Sequence, residues 1–121
     1  MPNQTPSSFT DLVELAHSEQ NSRQCFQLQI KPEFISEYVQ VHQQVWPEML
    51  HALKECGWRN YSLFLREEDG LVIGYFEADD VKEARRLMNQ HPVNAKWQAE
   101  MAQYFVPDAP ETPLPQYFRL T

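Results

Sequence analysis

Glycine is scarce in this sequence, which contains only Gly57, Gly70 and Gly74 among its 121 residues. Loops that bind the phosphates of a nucleotide need several closely spaced glycines, because the backbone must approach the phosphate oxygens. Three isolated glycines do not supply such a loop. We therefore expect no nucleotide cofactor.

Cysteine is equally scarce, with only Cys25 and Cys56 present. Neither belongs to a CxxC motif or to a cluster of cysteine and histidine, so the ligand spacing of a zinc site is absent. Two free, mostly buried thiols in a reducing compartment are the expected state of these side chains. No metal site and no other cofactor is predicted.

Positive charge and long apolar runs are also lacking. Ten Lys and Arg residues stand against 17 Asp and Glu residues, which gives a formal net charge of −7. Nucleic-acid binding relies on clustered basic side chains, so we expect no nucleic-acid partner. No apolar run is long enough to span a membrane, and the N-terminus has no apolar signal core. We therefore predict a cytoplasmic protein with no membrane association.

The chain divides into a polar N-terminal extension and one domain. Residues 1–23 are polar apart from a segment around Leu12, Leu15 and Ala16, which has helical spacing and predicts one short helix. Residues 24–121 contain the apolar patterns expected of a single small domain.

Apolar periodicity predicts the order βαββαβ within that domain. The expected strands are 25–30, 58–65, 71–77 and 116–120. The first helix follows Pro32, is interrupted at Pro47 and ends at Gly57. The second helix begins at Val81, is broken at His91-Pro92 and continues over 95–105, with Asn94 as the cap of the continuation.

This order is typical of an α+β fold, the ferredoxin-like plait, in which two helices cover one face of an antiparallel sheet. The strand 71–77 is apolar on both faces, so the open face of the sheet also needs a cover. A second copy of the chain would provide one. We therefore predict a homodimer of the dimeric α/β-barrel type.

The candidate chemistry is centred on Tyr38 and His42, which are four residues apart and share one helix face. Histidine alone has an ordinary pKa near neutrality, so the pair could bind a hydroxylated ligand and move its protons. Spacing alone is more typical of a half-buried packing pair. Tyr61, Trp97 and Gln98 are the other candidates for a shared cleft. One histidine beside flat aromatic rings suits a neutral polyol, whose C–H faces pack on rings while its hydroxyls take hydrogen bonds.

One family resemblance joins these residues. The sequence Tyr38-x-x-x-His42-x-x-x-Trp46-Pro47-Glu48, then Gly57-x-x-Asn60-Tyr61, then Trp97 and an aromatic C-terminal segment, resembles the L-rhamnose mutarotase family from about Cys25 to Leu120. The resemblance implies a dimeric isomerase of carbohydrate metabolism, one that interconverts the α and β anomers of this monosaccharide without a cofactor.

The resemblance also implies roles for single residues. His42 matches the proton donor of the family, and Tyr38 and Tyr61 match residues that contact the sugar. Trp97 matches the first member of an aromatic pair, whereas Gln98 stands at the second position and departs from the family pattern. Trp46 is interpreted as a packing residue at the break before Pro47.

Two other functions remain open at this point. A cofactor-free monooxygenase or a lyase could use the same dimeric plait, because one fold supports many activities. A non-catalytic ligand-binding or dimerisation module is the second alternative. A deeply apolar cleft without converging hydroxyl groups would favour the first of these, and burial of Tyr38 and His42 away from any cleft would favour the second.

Overall fold

A computed structural model describes residues 21–120 of the chain. The short helix predicted near Leu12 lies outside the described residues, and the division of the chain at residue 23 stays a prediction. The strands are β1 (Arg23–Gln29), β2 (Arg59–Arg66), β3 (Leu71–Glu77) and β4 (Thr112–Leu114). The helices are α1 (Ile35–Val41), α2 (Pro47–Glu55), α3 (Val81–Asn89) and α4 (Pro92–Met101). Short 3₁₀ turns lie at Pro32–Phe34, His42–Gln44 and Ala102–Tyr104.

The strands form one antiparallel sheet in the order β2-β3-β1-β4. This is the predicted ferredoxin-like plait, with each predicted helix divided in two. Along β3 the buried residues alternate at Val72, Gly74 and Phe76, which marks the face of the sheet that packs against the helices. The core lies between that face and the helical layer.

Two breaks expected from the sequence are confirmed. Trp46 has a ψ of 135°, because the residue before a proline is disfavoured in the helical conformation, and α2 then begins at Pro47. The first helical segment ends after α2 at Gly57, whose φ of 91° favours glycine. Asp80 caps α3 by accepting a hydrogen bond from the backbone N–H of Glu83 over 3.1 Å.

Two details of the prediction are wrong. The last strand is Thr112–Leu114, earlier than the predicted 116–120, and it pairs with β1 at the edge of the sheet. Pro113 is tolerated there because the N–H of an edge strand need not join the ladder. The cap of α4 is His91, whose Nδ1 accepts from the backbone N–H of Val93 over 3.3 Å, rather than Asn94. Pro92 occupies the first helical position, where its missing N–H costs nothing.

The other face of the sheet carries apolar side chains that the described chain leaves uncovered. Phe64 on this face is 62% exposed, and Leu71 and Ile73 of β3 are half-buried. Beyond β4, Tyr117 and Phe118 are 80% and 70% exposed. Cys25 lies on the same face and Cys56 in the core, and both are free thiols. No helix within residues 21–120 combines the length and apolar character needed to cross a membrane, and the predicted cellular location stays a prediction.

Candidate functional site

A cavity of about 890 Å³ lies between the sheet and the helical layer. Its walls come from β1, β2 and β3, from α1 to α4, and from the segment that joins α4 to β4. The five residues predicted from the sequence all line it, although they come from three different elements and one turn: Tyr38, His42, Tyr61, Trp97 and Gln98. Folding therefore brings the whole predicted set together.

His42 lies where α1 passes into a 3₁₀ turn, and its ring is fixed on one side. Nδ1 lies 2.9 Å from the backbone carbonyl oxygen of Tyr38, one helical turn earlier. A carbonyl oxygen only accepts, so Nδ1 carries the proton in the neutral ring and Nε2 keeps its lone pair. In the described part of the chain, Nδ1 is the ring nitrogen of His42 that makes a hydrogen bond. Nε2 is therefore available to a ligand in the cavity.

The environment of His42 keeps the ring neutral near pH 7. Burial lowers the pKa of His42 below its ordinary value, because the charged form loses hydration. The hydrogen bond to the Tyr38 carbonyl acts in the opposite direction and is the smaller effect. A neutral imidazole with a free Nε2 can accept a proton, and the protonated form can return it.

The phenols of Tyr38 and Tyr61 are the hydroxyl groups beside this histidine. Tyr38 is buried, and its ring centroid lies 4.3 Å from that of His42. Burial is the main reason why the pKa of each phenol is raised above its ordinary value. The pKa of Tyr61 is raised to about 12. The neighbouring Tyr61 raises the pKa of Tyr38 further by an electrostatic effect. Both hydroxyls therefore stay protonated and can donate hydrogen bonds.

A bulge in β2 orients Tyr61. The register of β2 against β3 shifts between Arg59 and Ser62, and Asn60 between them has a φ of 49°. Asparagine tolerates this left-handed conformation better than most residues, and its side-chain amide donates to Glu77 over 2.8 Å. The Asn60-Tyr61 pair in the sequence thus has a geometric role, because the bulge sets the direction of the Tyr61 ring.

The indole ring of Trp97 forms another part of the wall, and the indole ring of Trp46 packs behind it. The ring of Trp97 is perpendicular to that of His42 with centroids 5.4 Å apart, and Trp46 packs perpendicular to Trp97 at 5.0 Å. Edge-to-face contacts of this kind are favourable and restrict both rings. Trp46 therefore packs behind the site, in agreement with its interpretation as a packing residue, and supports the wall that contains Trp97.

Gln98 contributes a carboxamide to the rim of the cavity. Its Nε2 donates to Oδ1 of Asn94 over 3.3 Å, and the Asn94 amide donates to the carbonyl of Met88 over 3.0 Å. Because the Asn94 amide nitrogen donates to Met88, its Oδ1 is the atom that faces Gln98 and accepts from it. Gln98 therefore uses its Nε2 on Asn94, and its Oε1 is free to accept a hydrogen bond from a ligand. Asn94, first interpreted as a cap, is a polar lining residue.

Sequence reasoning missed an ion pair in the same cavity. Arg85 of α3 and Glu111, just before β4, both line it, and Nη2 of Arg85 lies 2.7 Å from Oε2 of Glu111. The two residues are 26 positions apart, and each lies in a segment whose charged residues look like those of any exposed surface. Nothing in their spacing distinguishes them from the exposed pair Glu83 and Arg86 on the same helix.

The described residues do not contain a group of three or more His, Cys, Asp or Glu side chains placed to hold a metal ion. The polar side-chain groups that line the cavity are imidazole, phenol, carboxamide, the ammonium of Lys31, and one paired carboxylate with its guanidinium. These groups bind hydroxyls and move protons.

Comparison with known proteins agrees with this chemistry. The family model for L-rhamnose mutarotase matches residues 23–120. An L-rhamnose mutarotase from Enterococcus faecalis is 38% identical over 76 residues, which cover 62% of this chain and 72% of that protein.

Solved structures share the fold. A crystal structure of an L-rhamnose mutarotase from Formosa agariphila superposes with a TM-score of 0.70 at 24% identity, covering 82% of this chain and 98% of that one. A dimeric ferredoxin-like protein from an uncultured marine organism superposes with a TM-score of 0.53 at 10% identity, covering 86% of this chain and 96% of that chain. At these identities the likeness establishes the α+β plait and its layer order.

Proposed function

Since this chain belongs to the L-rhamnose mutarotase family, we propose that it interconverts the α and β anomers of L-rhamnose by acid–base catalysis in the cavity around His42. The observation that carries the proposed mechanism is the fixed imidazole. Nδ1 is held by the Tyr38 carbonyl, and the ring lies between Tyr38 and Trp97 in the cavity. A ring held in this way presents one basic nitrogen to the ligand in a constant direction.

Mutarotation opens and recloses a hemiacetal. The anomeric hydroxyl loses its proton while the ring oxygen gains one, the C–O bond to the ring oxygen breaks, and the resulting aldehyde rotates before closure. We assign both proton transfers to Nε2 of His42: it accepts the anomeric proton and, once protonated, gives that proton to the ring oxygen as the C–O bond breaks. On closure the proton moves back by the same route, from the hydroxyl that formed the ring to the carbonyl oxygen. A positioned acid–base group of this kind accelerates a reaction by about 10²–10⁴-fold.

The aromatic and amide groups bind the sugar in this proposal. Tyr38 and Tyr61 hold hydroxyl groups through their phenols, since both remain protonated. Trp97 offers a flat wall to the C–H face of the ring, and Gln98 contacts a hydroxyl at the rim. It is the backbone of Tyr38 that orients His42, so the Tyr38 phenol is left for the substrate.

The two alternative functions fit this cavity less well. Tyr38 and His42 line a cavity rather than packing away from one, which disfavours a module without a ligand site. Imidazole, phenol and carboxamide groups converge in it, which disfavours a purely apolar substrate.

Exchange NMR on equilibrated L-rhamnose tests the proposal. The purified protein should increase the rate of saturation transfer between the two anomeric proton signals in proportion to its concentration. Absence of any increase over buffer, for L-rhamnose and for related 6-deoxy sugars, would refute the proposed activity.

The catalysed exchange rate should decrease as the pH is lowered. His42 acts in its neutral form, so the catalysed rate should be constant above about pH 7 and fall as pH drops through a folded-state pKa below 6.5. Unfolding restores the ordinary pKa, so the unfolded chain binds the proton more tightly and stability also decreases over that window. The measurement is the exchange rate between about pH 5 and 8, corrected for the buffer-catalysed reaction. A rate that rises with acid would contradict the assignment.

We also propose that two copies pair through the open sheet face. Phe64 is 62% exposed there in the single chain and lies beside Ile73 on the same face, near Leu71, and a contiguous exposed apolar patch of this kind marks an interface. The dimeric ferredoxin-like protein described above shows that this layer arrangement supports dimers in another protein.

Phe64→Glu should separate the copies, because a carboxylate would be buried without a partner in the interface. Light scattering should give about twice the 14.3 kDa chain mass for the wild type and the chain mass for this variant. Leu87→Glu is the matched control, since Leu87 is exposed on α3 in the helical layer. A monomeric wild type would overturn the proposal.

A further inference from the structure

The Arg85–Glu111 pair has a position and a bonding pattern that the proposed mechanism does not use. Arg85 projects from α3 and Glu111 from the segment before β4, so their contact joins two parts of the cavity wall. The side chains are 24% and 40% exposed, which makes this a half-buried pair.

The guanidinium of Arg85 is held on several sides. Its carbon lies 4.8 Å from the ring centroid of Phe26 and 5.5 Å from those of Trp58 and Phe76. Nε donates to Oε1 of Gln24 over 2.7 Å. A planar cation over aromatic faces, with a side-chain acceptor on Nε, has little freedom to turn.

The carboxylate of Glu111 is oriented by that cation. Oε2 lies 2.7 Å from Nη2 and Oε1 lies 3.4 Å from Nη1 of Arg85, an approximately two-pronged contact. The Tyr61 ring packs against Phe26 and Trp58, the same two rings that the Arg85 guanidinium contacts, so the pair lies near that phenol.

Within residues 21–120, the hydrogen bonds of the pair leave part of its bonding capacity unused. A guanidinium has five N–H groups, and Arg85 uses three of them on Gln24 and Glu111. A carboxylate accepts about four hydrogen bonds, and Arg85 provides two to Glu111. The remaining donors and acceptors lie side by side. Two neighbouring hydroxyl groups, each a donor and an acceptor, match that arrangement.

We propose that Arg85 and Glu111 form a hydroxyl clamp that binds adjacent hydroxyls of the sugar away from its anomeric carbon. This inference rests on the proposed function for the identity of the ligand. Glu111 accepts from the sugar hydroxyls, and the free N–H groups of Arg85 donate to them. Because the clamp does not touch the reacting atoms, it determines affinity and sugar preference rather than the rate of the bound complex.

Glu111→Gln tests the clamp, since it keeps the shape of the side chain and removes its charge. L-Rhamnose binding is measured by NMR titration, and turnover by anomer exchange at saturating sugar. The dissociation constant should rise at least about tenfold, as expected when a charged hydrogen-bond partner is lost, while turnover at saturation changes less than about threefold. Arg85→Lys, which keeps the charge but not the planar fork, should weaken binding in the same direction.

Glu83→Gln is the matched control, because Glu83 pairs with Arg86 on the exposed side of α3. It should leave binding unchanged. Thermal unfolding of each variant distinguishes a role in stability from a role in binding. If Glu111→Gln and Arg85→Lys both lower the melting temperature but keep the wild-type affinity, the pair only stabilises the fold and the clamp proposal is overturned.

The outcomes also separate this inference from the proposed activity. A wild type that binds L-rhamnose tightly but does not accelerate exchange removes the mutarotase proposal, and the loss of binding in Glu111→Gln still supports the clamp. A wild type that accelerates exchange with unchanged affinity in Glu111→Gln supports the activity and removes the clamp. A wild type that does not bind the sugar overturns both.

Discussion

His42→Gln is expected to lower the turnover of anomer exchange by about 10²–10⁴-fold, the contribution of one positioned acid–base group. Glutamine can still donate a hydrogen bond to the Tyr38 carbonyl, but it has no group that titrates near neutrality. The sugar contacts proposed for Tyr38, Tyr61 and Trp97 remain, so the KM should change little. Saturation-transfer NMR at several sugar concentrations separates the two parameters.

His51→Gln provides the matched control, because the side chain of His51 is 78% exposed on α2 and pairs only loosely with Glu55. It should keep the wild-type rate. A folded His42→Gln variant with the full exchange rate would remove His42 from the mechanism, whatever the activity of the wild type.

Gly74→Ala is expected to destabilise the fold and distort the cavity together. An added Cβ at Gly74 would lie 2.3 Å from Cζ and 2.5 Å from Cε2 of the Phe26 ring, which lies across β3 at this position. Phe26 is only 2% exposed and has the Arg85 guanidinium over its face, so the ring cannot move aside freely. Alanine usually stabilises a strand relative to glycine by about 0.5–1 kcal/mol, but the overlap should reverse the sign here.

Overpacking of this kind costs about 1–3 kcal/mol, and for a domain of this size each kcal/mol lowers the melting temperature by about 4–8 °C. Phe26 also lines the cavity, so the KM for sugar should rise as the ring shifts. Thermal unfolding and exchange NMR measure the two effects.

A double variant identifies the cause of the loss. Leucine at position 26 lacks the distal ring atoms that the new Cβ would meet. The combination of Phe26→Leu with Gly74→Ala should therefore cost less than the sum of the single changes, by about 1 kcal/mol or more. Additive losses, or a Gly74→Ala variant as stable as the wild type, would show that the close approach is not limiting.

Local patterns were sufficient to predict most of the architecture. Alternation predicted β1 and β2, a run that is apolar on both faces predicted β3, and Pro47 and Gly57 marked the break and the end of the first helical segment. These signals act within a few residues, because a missing N–H or a positive φ restricts the backbone wherever it occurs. The predicted last strand was wrong, since the aromatic residues after Pro115 have strand character, whereas the segment that pairs with β1 is Thr112–Leu114.

The predicted site residues came together for a similar reason. Tyr38 and His42 share a helix face by spacing, and the plait places Tyr61 and Trp97 around the same cavity. By contrast, the bulge at Asn60 and the contact between Arg85 and Glu111 depend on the register of β2 and on the path of the segment before β4. Neither the bulge nor the ion pair is marked in the sequence by a repeat or by a characteristic spacing.

The amino-acid sequence by itself determined the α+β class, the order of the elements and the helix face that carries His42, because backbone restrictions and apolar periodicity are local. The tertiary structure alone decided that the Trp97 ring meets His42, how the Phe26 ring lies over Gly74, and which carboxylate meets Arg85. These outcomes depend on distances between residues far apart in the chain, and such distances exist only once the helices have packed on the sheet.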